Sequence, residues 1–534
     1  MEVDCIPFKS TGYFSQLICD YIDEKKELNP FYNRFPSLEN FKEQIKEKQQ
    51  SFSTASRSVL YKSLIAQYNG FEVSKNTTSN ILLLKKDTTF TVVTGHQLNL
   101  FTGPLYFLYK IISTINLTKE LREAYPEYNF VPIYWMATED HDFDEINYFN
   151  FNDKKLQWNK DVSGAVGNID TQGLEEVFKT FTQEIKDNNN ATTLKEWFAK
   201  AYLEHENLTD ATKYLANKLF GAYGLVIIDG DDHELKKLLV PFVKKDIFEN
   251  TSFNKVTETI SQLEEVSTDY GIQVNPREIN YFYLADGVRE RIIEKDGIYY
   301  VNDTELHFSK EEMTKEIHDF PEHFSPNVIA RPLYQEVILP NLCYIGGGGE
   351  IAYWLELKSS FEAMEVPFPM LLLRNSALVM TEKQSDKLKE LNLSLEDIFL
   401  KQSSFINKKI REISNIDIDL SPQRKYLQQQ FKELYQLAEE TDKSFLGAVK
   451  SQELKQLKGL NSLEKRLLKA QKRKLKDHVV RMTDIQNEIF PNQSLQERQL
   501  NFSELYLEYG DVLIPRLMEA LRPLNGEFCI LKMS

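Results

Sequence analysis

Five short apolar runs recur along the first 375 residues, and several end in polar or glycine-rich turns that lead into helical patterns. They lie at residues 90–94, 131–136, 224–229, 342–345 and 369–374. Runs this apolar and rich in β-branched residues read as buried strands. Alternation with helices predicts a parallel sheet covered on both faces, an α/β, Rossmann-like core. In such sheets ligands bind beyond the carboxyl ends of the strands, and in this chain those ends carry the polar motifs. Residues 150–222 and 240–330 read as insertions between core strands.

From about residue 376 the pattern changes: glycine becomes rare and Lys, Glu, Gln and Leu dominate. Tyr426, Phe431, Leu434, Ala438, Thr441, Phe445 and Val449 follow one another mostly at steps of three or four, as do Leu460, Leu463, Leu467, Ala470, Leu475, Val479, Met482, Ile485 and Ile489. This predicts two long helices joined near Ser451 and Gln452, an antiparallel hairpin over 376–500. Residues 501–534 read as a helix and strand returning to the core, so the expected division is 1–375, 376–500 and 501–534.

Charge and cysteine usage narrow the function classes. There are 64 Lys plus Arg and 80 Asp plus Glu, a net charge of −16, which disfavours binding to nucleic-acid phosphates. Residues 465–481 carry eight basic residues against one acid, Asp477, but these interleave with the apolar stripe and read as a solvated helix face. Cys5, Cys19, Cys343 and Cys529 form no CxxC pair, which argues against a disulfide scaffold or a thiolate zinc cage and suits a reducing cytoplasm. No basic-then-apolar leader opens the sequence, and the apolar stretch 368–380 is short and broken by Arg374 and Asn375. The expectation is a cytoplasmic protein with no membrane or nucleic-acid partner.

Three strand-end motifs carry the candidate chemistry. The first, TGHQLNLFTGP at 94–104, joins a strand to a helix: Gly95 and Gly103 permit close backbone approach, and Pro104 suits a helix start whose free N–H groups hold an anion. Simple turn chemistry is its plainer reading, and it is neither a Walker loop nor a dinucleotide fingerprint. The second, at 139–145, packs Glu139, Asp140, His141, Asp142, Asp144 and Glu145 just past a core strand. Such a cluster suits a general base, an amine clamp or a divalent metal, against the plainer reading of a solvated acidic loop. Zinc is disfavoured because no second His or Cys stands at ligand spacing. The third is Arg331, Gln335 and Glu336 before a strand that ends in Gly346, Gly347, Gly348 and Gly349, then Glu350 and Tyr353. Consecutive glycines between apolar elements let backbone N–H groups reach a ligand.

Taken together, TGHQLNLFTGP, PIYWMATEDHDFDEI and RPLYQEVILPNLCYIGGGGEIAYW, in this order and spacing, resemble the bacillithiol-biosynthesis cysteine-adding enzyme family, BshC, over essentially the whole chain. The resemblance implies a Rossmann-like core, a carboxy-terminal coiled coil that dimerises, and a ligase reaction joining L-cysteine to the amine of glucosaminyl malate. Cysteine's carboxylate must be activated for this, which suggests ATP or another nucleotide as co-substrate; no structural metal is expected. On this basis Asp140, His141 and Glu145 are the candidate catalytic residues. Substrate or nucleotide binding falls to Gly95, His96, Gln97, Thr102, Gly103, Glu139, Asp142, Arg331, Gln335, Glu336, Gly346, Gly347, Gly348, Gly349, Glu350 and Tyr353. Two alternatives stay open: a nucleotidyltransferase-like enzyme of the same fold class, and a non-catalytic coiled-coil binding or scaffold protein.

Overall fold

The computed structural model describes residues 2–441 and 443–533, in two compact units. The first comprises Met1–Lys9, Tyr13–Val379 and Leu495–Leu531, and the second Ser10–Gly12, Met380–Ser494 and Lys532–Ser534.

The first unit is built on five strands: β1 (Thr89–His96), β2 (Asn129–Met136), β3 (Val226–Asp229), β4 (Asn341–Gly346) and β5 (Met370–Leu373). They pair in the order β5-β4-β1-β2-β3, every pairing parallel, as the apolar runs predict. β1 is buried along its whole length, because helices cover both faces and leave no side of its pleat for water. On one face Phe90, Val92, Phe130, Leu342, Ile345 and Met370 pack with Leu117 and Leu121 of the helix α1 (Tyr106–Ala124) and with Phe41 and Ile45.

The chain builds outward from β1 through β2 to β3, then returns to lay β4 and β5 on the other side. The strand order therefore reverses between β1 and β4, and the carboxyl ends of those two strands open a crevice there. Three further helices border this edge: α2 (His233–Glu249), α3 (Ala330–Ile338) and α4 (Gly348–Leu355). Between α2 and α3 the chain forms an antiparallel sheet, in which Tyr281–Ala285 and Val288–Lys295 are a hairpin with Gly287 at φ 67°.

The second unit contains α5 (Ser421–Glu439), α6 (Lys443–Lys474) and α7 (Lys476–Ile489). α5 and α6 are clasped by Tyr435 Oη donating to Glu453 Oε2 at 2.7 Å and by Arg424 Nη1 donating to Glu464 Oε2 at 2.6 Å. The hairpin turn predicted near Ser451 and Gln452 is corrected: both lie inside α6, α5 ends at Glu439 and α6 begins at Lys443, with Asp442 outside the described residues. An apolar stripe fixes which face is buried but carries no mark of where a helix stops, and neither Ser451 nor Gln452 is a helix breaker. Among the described residues no helix is long and apolar enough to cross a membrane.

Candidate functional site

The crevice between β1 and β4 widens into a cavity of about 730 Å³ within the first unit. Its lining includes seven cationic side chains, Lys110, Arg277, Arg289, Arg291, Arg331, Arg374 and Arg498, against three carboxylates, Glu139, Asp140 and Glu350. In a chain of net charge −16 this is a local reversal of sign that draws anions inward.

The floor is set by Lys110 and Glu350. Lys110 projects from an otherwise apolar turn of α1, donates to Gly95 O at 2.7 Å and lies 2.7 Å from Glu350 Oε2. Glu350 also accepts from Gly347 N at 2.8 Å and from Tyr344 Oη at 2.7 Å. Burial works against its charge, but Lys110 outweighs it and holds the carboxyl below its usual range. Glu350 thus caps its own helix and takes the N-terminal position a phosphate would use. Gly346 stays in the strand and does not line the cavity. A Cβ there would fall 2.9 Å from Glu350 Cβ and 3.0 Å from Tyr344 Cε1, so this glycine makes room for the floor. Gly347, Gly348 and Gly349 line the cavity with Tyr353.

Two guanidiniums offer unused donors. Arg331 packs over the rings of Trp135 and Tyr344 and donates from Nη1 to Gln335 Oε1, while its buried Nη2 has no hydrogen-bond partner. Arg374 is tied to Glu497 Oε1 at 2.8 Å and to Ser376 Oγ, and its buried Nε is likewise unpartnered. Leaving such donors without acceptors is costly, and both residues line the cavity, where a bound carboxylate or phosphate is the kind of acceptor each lacks. His96, ringed by Tyr106 and Phe107, has an unpartnered Nε2. Burial, aided by nearby Lys110, pushes it down to about 3, so the imidazole is neutral.

The acidic cluster divides. Glu139 lines the cavity and pairs with the buried amine of Lys236, on α2, at 2.6 Å; Lys236 also contacts Asp231 Oδ1 and Glu322 O, each at 3.0 Å. Burial raises Glu139 despite Lys236. Asp140 goes the other way: burial alone would raise it, but hydrogen bonds involving His141 and Gln97 hold it well below the usual carboxylate range. Gln97 Nε2 donates to Asp140 Oδ2 at 2.9 Å and to Glu145 Oε2 at 3.0 Å, joining the first motif to the second. His141 Nδ1 lies 2.6 Å from Arg289 Nη1. The same nitrogen lies 3.5 Å from Asp140 Oδ1, so the ring stands between a guanidinium and a carboxylate. His141 lines the cavity beside Asp140.

Other predicted site residues lie outside the cavity lining, each for a physical reason. Thr102 and Gly103 belong to a turn with Phe101, Thr102 and Gly103 at φ 49°, 70° and 64°. Asn501 Nδ2 caps the carbonyls of Phe101 and Gly103, and Phe101 is buried against Phe149, Phe181, Phe198 and Phe502. The N–H of Leu105 donates to Leu500 O, so this turn is a plug and its helix start is no anion cradle. Gln335 and Glu336 are fully buried, Glu336 paired with Lys48 at 3.0 Å. Asp142 precedes a single helical turn, and Glu145 accepts from Gln97 without lining the cavity. Among the described residues no three His, Cys, Asp or Glu side chains are grouped to hold a metal.

Sequence reasoning missed Lys110, Arg277, Arg289, Arg291, Arg374 and Arg498. A lone lysine in an apolar helix and an arginine interrupting an apolar strand were signals for Lys110 and Arg374. Arg289 and Arg291 arrive on the hairpin, and Arg277 on the irregular segment 267–280, whose backbone N–H groups at Gln273 and Val274 donate to Glu356. Burial pushes that carboxyl up to about 7.

Comparison with known proteins matches residues 1–375 to the family model described as "Bacillithiol biosynthesis BshC, N-terminal Rossmann-like domain" and 377–533 to "Bacillithiol biosynthesis BshC, C-terminal coiled-coil domain". A protein of Christiangramia forsetii named "Putative cysteine ligase BshC" is 60% identical over 99% of both chains. Proteins of the same name from Flavobacterium johnsoniae and Bacillus cereus are 58% and 28% identical, covering 99% and 100% of this chain and all of their own.

Proposed function

Because the chain belongs to the bacillithiol biosynthesis BshC family, we propose that it is a cysteine ligase that forms the amide between the cysteine carboxyl and the amine of glucosaminyl malate in the β1–β4 cavity. The observation that carries this reading is the charge pattern of the lining, seven cations around three carboxylates. The two substrates bring three carboxylates and two amines, so the cavity matches both signs.

In this reading Arg331 Nη2 and Arg374 Nε engage the malyl carboxylates, where planar guanidiniums form paired, charge-assisted hydrogen bonds. Asp140, held ionised, binds the cysteine ammonium. Glu139, raised by burial and steered by Lys236, accepts the proton that the attacking amine must lose. The neutral His96 supplies a donor to the carbonyl oxygen as charge develops on it.

A free carboxylate does not condense with an amine unaided, so a nucleoside triphosphate is proposed as activating co-substrate. The groups that suit its phosphates are the arginines from the hairpin and from 267–280, since Glu350 occupies the N-terminus of α4. We also propose that the second unit dimerises: Tyr426 and Leu463 are 74% and 56% exposed along a shallow groove on α5 and α6, a pattern that suits a second copy's helices.

The test is incubation with glucosaminyl malate, cysteine and each nucleotide in turn, with mass spectrometry of the products. The amide supports the proposal. Nucleotide turnover that yields an activated acid but no amide favours a nucleotidyltransferase, and no reaction with any nucleotide favours a binding protein.

A further inference from the structure

Cys5 and Cys529 stand on neighbouring strands, Glu2–Pro7 and Glu527–Met533, of a three-stranded sheet, although 524 positions separate them in the chain. Their sulfurs are 3.9 Å apart and both thiols are free; Cys5 is exposed and Cys529 buried. Cys19 and Cys343 make no such pair: Cys19 Sγ contacts Phe14 O, and Cys343 Sγ contacts Tyr344 O. We propose that Cys5 and Cys529 form a thiol–disulfide exchange site, which takes a low-molecular-weight disulfide at Cys5 and resolves it through Cys529.

The geometry asks for little movement. A sulfur–sulfur bond is about 2.05 Å long, so the two sulfurs must close by about 1.9 Å, a distance that side-chain rotation on paired strands can cover. The order of events follows from exposure. Cys5 meets solvent, and its thiolate attacks one sulfur of the small disulfide, forming a mixed disulfide and releasing one small thiolate. Cys529 is shielded: burial first, and the neighbouring Cys5 second, push its thiol up to about 12. It therefore acts second and slowly, attacking Cys5 Sγ as it loses its proton and expelling the second small thiolate. The two thiol protons end on the two released thiols, and two electrons pass from the protein to the small disulfide.

Cystine is the probe, a choice that rests on the proposed use of cysteine. The readout is protein mass and not ligase turnover, so failure here and failure of the ligase reading are distinguishable. Reduced, desalted, native protein is incubated with cystine, quenched with acid and measured intact and after non-reducing digestion. The expected result is a transient cysteine adduct at Cys5, then a Cys5–Cys529 linked peptide with loss of two hydrogens. Cys529→Ser should stop at the adduct, and Cys5→Ser should form neither species, with circular dichroism confirming that each is folded. A stable adduct on wild-type Cys5 that never converts, or linkage that appears only after denaturation, would overturn the proposal and leave the pair as two contacting thiols.

Discussion

Lys110 Nζ and Glu350 Oε2, brought 2.7 Å apart from α1 and α4, tie together the two helices that follow the adjacent strands β1 and β4. The pair is the floor of the cavity, and its lysine is almost wholly buried. Removing one member of a buried pair typically costs about 3–5 kcal/mol. Glu350 keeps some exposure to the cavity, so Lys110→Met is expected to cost about 2–3 kcal/mol, read as a lowered urea midpoint. An unchanged midpoint would mean that the floor does not depend on this charge.

His96 gives a pH signature of known sign. Its folded pKa, about 3, lies below the unfolded value of about 6.5. As pH falls below about 6.5 the unfolded chain takes a proton that the folded chain refuses, so stability drops by up to about 1.4 kcal/mol per pH unit, one proton's worth. His96→Gln should remove that slope. Urea unfolding at stepped pH from neutrality to about 4.5 checks it, and parallel slopes for the two proteins would count against a neutral, buried imidazole.

Arg331 tests substrate recognition. Losing a charge-assisted pair to a carboxylate should raise the KM for glucosaminyl malate about 10–100-fold in Arg331→Gln, with a smaller change in the KM for cysteine. Arg331→Lys should rescue little, because an ammonium cannot reproduce the planar fork. Steady-state kinetics on both substrates decide it, and equal effects on both would argue that Arg331 only supports the fold.

For the second unit, Tyr426→Asp with Leu463→Asp should convert a dimer into a soluble monomer in light scattering. Both side chains are exposed in the single chain, so folding should be spared. A dimer of unchanged mass would place the interface elsewhere.

The sheet and the strand-end cavity were legible because periodicity and strand chemistry are local. Residues 90–94 could hardly be anything but a buried strand, and a parallel sheet puts its ligands at one edge. The role of the turn at 95–104 was not legible, because its fate depends on Asn501 and Leu500, about 400 positions away. The cationic lining escaped for the same reason: Arg289, Arg374 and Arg498 converge only through the hairpin and the returning carboxy-terminal segment. Glu350 misled in the opposite sense, since a glycine run before a helix suggests an anion site until its own third residue closes it.

Amide formation in the β1–β4 cavity with Glu139 as the proton acceptor is decided by product formation in Glu139→Gln beside the unaltered protein. Both are given saturating cysteine, glucosaminyl malate and nucleotide. Lys236 keeps Asp231 and Glu322 O as partners in the variant, so the fold should hold and glucosaminyl malate should still bind. The unaltered protein is expected to yield bacillithiol, and turnover in the variant should fall about 10²–10⁴-fold, the usual worth of a positioned base. Near-normal turnover by folded Glu139→Gln would contradict it.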